Sequence, residues 1–241
     1  MQLFSRGLPP DFNLYFFSDM HVGSLLTHYS GIERFVWRLD GDSKGYGIGL
    51  GDYCEAICVD DKRFDPNTSD LSLGVSDLQY MRVEEILKPI AHKILYLNDG
   101  NHDYKHYRSI NFVKNFLCRN LDIPYGTYSS KLSIYDSDSK LREKIFTGHG
   151  WRSLTSSADD PIREKSNLIL SLKRRLKNKA GDCRIMAMGH THRLLASEPI
   201  HRLYLTDEKG ELHQRYFNSD TGTDFIHPDH RYYINTGSFL K

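Results

Sequence analysis

Five short apolar segments of this chain each lead into a cluster of Asp, Asn or His residues, mostly beside glycine. The segments read NLYFFS, GIGLG, KILYL, KIFT and RIMAM, and the clusters after them contain DMH, D, GNHD, GHG and GHTH. One such cluster alone would indicate a turn, because Asn, Asp and Gly favour turn conformations. Five of them indicate a shared site, because strands of α/β folds open at their carboxyl ends onto ligand-binding loops. The pattern therefore predicts an α/β fold with one functional edge.

The stretches between the strand-like segments have the periodicity of helices. Asp77 is expected to cap one helix that buries Leu78 and Met81 among its apolar residues. Asp160, followed directly by proline, is expected to begin another helix. The length of 241 residues fits one domain with a large core or two small ones. We expect a single catalytic domain over residues 1–241.

Composition excludes some classes of protein and leaves others open. The net charge of +1 gives no global attraction to nucleic acid or to a membrane surface. No apolar run approaches the roughly 20 residues that span a bilayer, so we expect no membrane partner. The four cysteines have no C-x-x-C spacing, and the N-terminus lacks the charge pattern of a signal peptide. These features favour a cytoplasmic protein, and the oligomeric state is left open.

The residues after the five segments form a set of candidate metal ligands without a thiolate. Two carboxylates, one amide oxygen and four imidazoles suit borderline divalent cations, for which we expect Mn²⁺, with Fe²⁺, Zn²⁺ or Ni²⁺ as alternatives. Seven ligands are too many for one ion and suit two ions about 3.5–4 Å apart, with one carboxylate bridging them. The candidate ligands are Asp19, His21, Asp52, Asn101, His149, His190 and His192.

The ordered set DMH, GD, GNHD, GHG and GHTH resembles the signature of the calcineurin-like metallophosphoesterase superfamily, which includes the Mre11/SbcD-like nucleases. The resemblance runs from Asp19 to His192 and implies a four-layer α/β/β/α sandwich of two mixed sheets flanked by helices. It also implies how the ligands divide between the ions. One ion takes Asp19, His21 and His192, the other takes Asn101, His149 and His190, and Asp52 bridges them.

The resemblance gives the GNHD block a catalytic role as well. It implies that His102 is the general acid, because protonation helps a leaving alkoxide to depart. It implies that the neighbouring Asp103 orients this histidine. On this interpretation the chain is a two-metal phosphoester hydrolase whose nucleophile is a hydroxide bridging the ions.

The substrate is predicted from the residues that follow the ligands. Cationic candidates are few, which favours a monoanionic diester over a dianionic monoester. Aromatic residues in the same segments suit a nucleotide or nucleic-acid strand. Tyr104, Trp151 and Arg152 are the expected substrate-binding residues, although Trp151 equally suits simple packing. The remaining candidates are Arg63, Lys105, Arg108 and Arg193 among the cations and Tyr53 and Tyr107 among the aromatics.

Three alternatives to a phosphodiesterase stay open. A nuclease acting on DNA or RNA and a phosphomonoesterase would use the same ligand set, since one fold serves many substrates. A non-catalytic binding scaffold is the third alternative. It is disfavoured because the chain keeps every ligand position and also His102.

Overall fold

The computed structural model describes residues 1–59, 61–106, 110–200, 203–216 and 224–241. It has a mixed α/β architecture, which confirms the predicted class. The strands form a six-stranded sheet, a three-stranded sheet and a two-stranded hairpin. Within the described ranges, no helix combines the length and the apolarity needed to cross a membrane.

The larger sheet contains both parallel and antiparallel neighbours. Its central strands β6 (Leu141–Gly148), β7 (Ile185–Met188) and β11 (Tyr232–Thr236) run parallel to one another. On either side of them, β5 (Ser129–Tyr135) is antiparallel to β6, and β8 (Leu194–Ser197) is antiparallel to β11. The first strand pairs in parallel with β5 at one edge. In spatial order the strands are β1 (Gln2–Gly7), β5, β6, β7, β11 and β8.

The smaller sheet is wholly parallel. Its strands are, in spatial order, β2 (Asn13–Phe17), β3 (Gly45–Gly49) and β4 (Ile94–Leu97). The expectation of two mixed sheets is therefore wrong for this sheet, because each crossover returns through a helix or long loop on the same side. The hairpin of β9 (Leu203–Glu208) and β10 (Glu211–Tyr216) pairs with neither sheet among the described residues.

Three α-helices flank the strands: α1 (Tyr29–Gly41), α2 (Ser76–Leu87) and α3 (Pro161–Leu176). The predicted start of α3 is confirmed, because the Asp160 carboxylate accepts the N–H of Arg163 at 2.7 Å. The predicted cap of α2 is wrong, because Val75 precedes the helix and Asp77 lies within its first turn.

Three clusters of buried side chains hold these elements together. One joins the two sheets and includes Ile48 of β3 and Ile145 of β6. A second packs α1 and α2 against the smaller sheet, with Val83 and Phe17 among its members. The third packs α3 against the larger sheet through Leu172. This packing sets the carboxyl ends of the strands of both sheets beside each other.

A fully buried arginine ties the end of α3 to the chain before β11. The Arg231 guanidinium has no exposed surface and donates to the carbonyls of Lys177, Ala180, Gly181 and Ile226. Hydrogen bonds from a charged donor are stronger than neutral ones, and losing a buried charged donor leaves its acceptors unsatisfied.

Substitution of this arginine should therefore destabilise the fold. We expect Arg231→Met to lower the free energy of unfolding by about 3 kcal/mol, measured by urea denaturation. Arg215→Met is the control, because Arg215 pairs with Glu208 on the exposed hairpin, where an ion pair contributes below about 1 kcal/mol. Equal losses in the two variants would contradict this role for Arg231.

Candidate metal centre

All seven candidate ligands follow strand ends, and the structure brings them together at one edge of the two sheets. Asp19 and His21 follow β2. Their backbone N–H groups join this loop to the loop after β3, because Asp19 donates to the Gly51 carbonyl (2.9 Å) and His21 donates to the Asp52 carbonyl (3.2 Å). The other ligands follow the remaining strands of the site: Asp52 after β3, Asn101 after β4, His149 after β6, and His190 and His192 after β7.

Asp19, His21 and His192 form the first group of ligand atoms. The Nε2 atoms of His21 and His192 lie 3.1 Å apart. The Asp19 Oδ1 atom lies 3.2 Å from His192 Nε2 and 3.8 Å from His21 Nε2. These three atoms are close enough to share one ion.

Asp52, His149 and His190 form the second group, and Asn101 joins it. The Nε2 atom of His149 lies 3.1 Å from Asp52 Oδ2 and 3.0 Å from Asn101 Oδ1. The same amide oxygen lies 2.6 Å from His190 Nδ1. The second group therefore contains the remaining four of the seven predicted ligands. Its carboxylate and imidazole atoms are close enough to share an ion, and the Asn101 oxygen lies beside both histidines.

Five of the seven ligands have a left-handed backbone. This conformation is uncommon for residues other than glycine and costs on the order of 1–3 kcal/mol each. The five are Asp19 (φ 53°), His21 (φ 49°), Asp52 (φ 54°), His190 (φ 72°) and His192 (φ 54°). Such strain persists where the surroundings fix the backbone, and it concentrates at functional sites.

Two glycines of the signature blocks allow the loops to approach closely. A Cβ atom at Gly100 would lie 2.0 Å from Asp52 Oδ1 and 2.2 Å from the Asp52 backbone nitrogen. A Cβ atom at Gly189 would lie 2.4 Å from Ser18 Oγ and 2.7 Å from Asp19 Oδ2. The glycines beside the ligands are thus required by the distance between the loops.

The donor atoms fit a bound cation. Asp19 Oδ1 is buried and has no hydrogen-bond partner within the described ranges. His149 Nδ1 lies 2.7 Å from the Leu50 carbonyl, which places its proton there and leaves the Nε2 lone pair facing the oxygens of Asp52 and Asn101. Converging lone pairs repel one another unless a positive charge lies between them, so these residues suit a metal ion.

The acidic groups of the site attract positive charge strongly. Burial alone would lower the pKa of His21, but the carboxylates of Asp19 and Glu55 beside it raise that pKa to about 10. Burial opposes the ionisation of Asp19, yet contacts with His192 and His21 hold the pKa of its carboxyl well below the usual range. A metal ion would therefore displace a proton from this group of residues.

His102 lies beside the first group, with its ring centroid 4.8 Å from that of His21. Its backbone N–H donates to Asp52 Oδ1 at 2.8 Å, and its Nδ1 lies 2.5 Å from the Glu55 carbonyl. Burial lowers the pKa of His102. The ring atoms of His21, His102 and the Glu55 carboxylate form a third group close enough to share an ion, so a ligand role for His102 needs an experimental test.

Asp103 does not contact the ring of His102, contrary to its expected orienting role. Its carboxylate accepts the backbone N–H groups of Asp52 (2.7 Å) and Gly100 (2.9 Å) and the hydroxyl of Tyr80 (2.8 Å). Burial raises the pKa of Asp103 to about 7. The carboxylate therefore fixes the loops that carry Asp52 and His102, while the Glu55 carbonyl orients the histidine ring.

The expected substrate residues divide into exposed and buried ones. Trp151 is exposed and stacks on Tyr128, and Arg152 follows it in the same loop. Tyr104 is also exposed and lies two residues after His102 in the chain. Tyr53 is fully buried in the core, so its predicted stacking on a base is wrong. Tyr107 and Arg108 lie outside the described residues.

Two residues of the site were not predicted as members of it. Glu55 lies 2.8 Å from His21 Nδ1 through its carboxylate, as the outer partner of a metal-binding histidine does. The Ser18 hydroxyl donates to Asp19 Oδ2. Lys105, one of the predicted cationic candidates, has a buried Nζ atom with no hydrogen-bond partner among the described residues. The position of Glu55 three residues after Asp52 was the one sequence signal available for this set.

No protein-family model fits the sequence, and a search of curated proteins found no match to it.

Proposed function

We propose that this chain is a two-metal phosphoester hydrolase with the fold and chemistry of the calcineurin-like metallophosphoesterases, acting on phosphodiesters. The observation that carries the proposal is the convergence of five strand ends on two adjacent groups of carboxylate, amide and imidazole atoms. These groups match the division of ligands that the sequence resemblance implies, with Asp19, His21 and His192 apart from His149 and His190.

The proposed fold is the four-layer α/β/β/α sandwich. It is supported by the order of the three core clusters. Helices α1 and α2 pack on the smaller sheet, the smaller sheet packs on the larger one, and α3 packs on the far face of the larger sheet. This order of layers suits ligands that come from both sheets.

The metal ions and the protein would divide the chemistry. When bound, two divalent cations, for which we propose Mn²⁺, supply Lewis-acid stabilisation of phosphoryl charge and lower the pKa of water. Asp52 would hold the second group and the loop of His102 in register, since one of its oxygens contacts His149 and the other accepts the backbone N–H of His102.

His102 would act on the leaving group. The Glu55 carbonyl accepts its Nδ1–H, so the second proton of the imidazolium form would be carried on Nε2. Because burial lowers the pKa of His102, the negative charge of a bound phosphoester would be needed to favour this protonated form. As the bond between phosphorus and the leaving oxygen breaks, this proton passes to that oxygen, and water later returns a proton to the ring. The neutral leaving group then departs as an alcohol.

Lys105 would bind an anionic oxygen of the substrate. Its Nζ atom is buried with no hydrogen-bond partner in the described part of the chain, and both burial and the nearby Arg63 lower its pKa. We expect Lys105→Met to raise KM about 10-fold or more with a smaller change in kcat, since a charged hydrogen bond contributes about 1.5–3 kcal/mol. The control is Lys140→Met, at an exposed turn. Unchanged KM in Lys105→Met would exclude this role.

Hydrolysis of two chromogenic esters tests the proposed function. Protein stripped by a chelator should hydrolyse neither bis-p-nitrophenyl phosphate nor p-nitrophenyl phosphate, and Mn²⁺ should restore activity best. The kcat/KM ratio of diester to monoester should exceed one. Full activity in the stripped protein would exclude the two-metal mechanism, and a ratio well below one would favour a phosphomonoesterase.

A further inference from the structure

A cavity of about 590 Å³ lies between the end of α3 and the ends of β6 and β7. Its floor is apolar, with Phe146, Met188 and Leu176 among the lining residues. Gly148 and Gly150 also line it, and His149 lies between them in the chain. The cavity therefore lies beside the loop that carries His149 of the candidate metal centre, and its volume is in the range of small-ligand sites.

An ordered aromatic pair forms one side of this cavity. The rings of Trp151 and Tyr128 stack with centroids 4.9 Å apart and an interplanar angle of 19°. The Tyr128 hydroxyl donates to the Gly150 carbonyl, and its ring lies 6.1 Å from that of His149. Trp151 is nonetheless 70% exposed, so only one part of its ring is covered. An exposed tryptophan held by a second ring is a platform for a further flat group.

Positive charge surrounds the same cavity. Arg152, Arg175 and Lys179 line it, and none of the described lining residues is acidic. Arg175 donates to the carbonyls of Arg152 and Ser153, which fixes the loop that carries Trp151. Burial and, to a smaller extent, the positive charge of Arg152 lower the pKa of Arg175. This is expected where neighbouring cations have no carboxylate beside them. This side of the cavity suits an anion such as phosphate.

We infer that this cavity binds a nucleotide unit of the substrate, with the base on Trp151 and a phosphate held by Arg152, Arg175 and Lys179. The inference rests on the proposed function, and it narrows the substrate to a phosphodiester that contains a nucleotide. A ligand in which a flat aromatic group is joined to an anion fits both Trp151 and the cations. An apolar ligand would leave the three cations without an anionic partner among the described lining residues.

Fluorescence of Trp151 tests this inference independently of hydrolysis. The chain has two tryptophans, and Trp37 is 79% exposed on α1, so Trp37→Phe leaves Trp151 as the sole indole. Titrations with AMP, ribose 5-phosphate and inorganic phosphate are done with a chelator present, so that metal ions contribute no phosphate binding. We expect AMP to quench the fluorescence saturably and to bind about tenfold or more tightly than ribose 5-phosphate.

Two variants in the Trp37→Phe background complete the test. Arg152→Ala should weaken AMP binding about tenfold, and the control Arg38→Ala, at the end of α1, should leave it unchanged. Absence of saturable quenching by AMP, or equal affinity for AMP and ribose 5-phosphate, would overturn the inference. Because no hydrolysis is measured, AMP binding by a protein that is inactive on phosphoesters would show failure of the proposed function alone.

Discussion

Asp52→Asn is expected to lower turnover by about 10³-fold and to remove more bound metal than Asp19→Asn does. In such reactions the metal ions stabilise the charge of the transition state by several kcal/mol. Each 1.36 kcal/mol of activation free energy corresponds to a factor of ten in rate. Asparagine keeps the size of the side chain and an oxygen that can accept the His102 N–H, which lies 2.8 Å away in the wild type. The variant therefore removes the charge of the proposed bridging ligand with little change in shape.

Elemental analysis and hydrolysis assays on the purified variants measure both effects. Asp138→Asn is the control. Asp138 is exposed in the turn between β5 and β6, and its substitution changes the net charge by the same amount as Asp52→Asn does. Thermal unfolding confirms that each variant is folded. Equal metal content in Asp52→Asn and Asp19→Asn would contradict the bridging role of Asp52.

His102→Ala is expected to keep both ions and lose about 10²–10⁴-fold in turnover, the usual contribution of general acid catalysis. The backbone N–H that binds Asp52 is retained in alanine, so the loop should hold its shape. The loss should be smaller for nitrophenyl esters than for alkyl esters, because nitrophenolate departs without protonation.

The matched control for this histidine is His92→Ala, at an exposed position before β4. Turnover is compared on alkyl and nitrophenyl esters, and metal content is measured on the same samples. If His102→Ala loses an ion, His102 is a ligand together with His21 and Glu55, and its role as the acid is wrong.

The positions of the seven candidate ligands were predictable from sequence, because they depend on the order of strands and not on side-chain detail. Each block follows a short apolar strand, and the carboxyl ends of packed parallel strands lie close together whatever the loops do. The cap of α3 was equally predictable, since Asp160 and its proline form a local signal.

Features that depend on how distant loops meet were not predictable. The Asp103 carboxylate accepts the backbone N–H of Asp52 because the strands β3 and β4 are adjacent. Its position next to His102 in the sequence had predicted the ring of His102 as its partner, which is wrong. On α2, Leu78 and Met81 are 42% and 50% exposed, whereas Tyr80 and Val83 are buried. A helix can present either of two overlapping apolar faces, and the tertiary packing selects one.

The number of bound divalent ions tests the central claim most directly. Protein stripped by a chelator is reloaded with Mn²⁺, dialysed and analysed for metal, while hydrolysis of bis-p-nitrophenyl phosphate is followed in the same samples. The ligand groups around Asp19 and Asp52 predict two Mn²⁺ ions per chain and hydrolysis that returns as the second ion binds. One ion per chain, or none, or hydrolysis by the stripped protein would contradict the two-metal site.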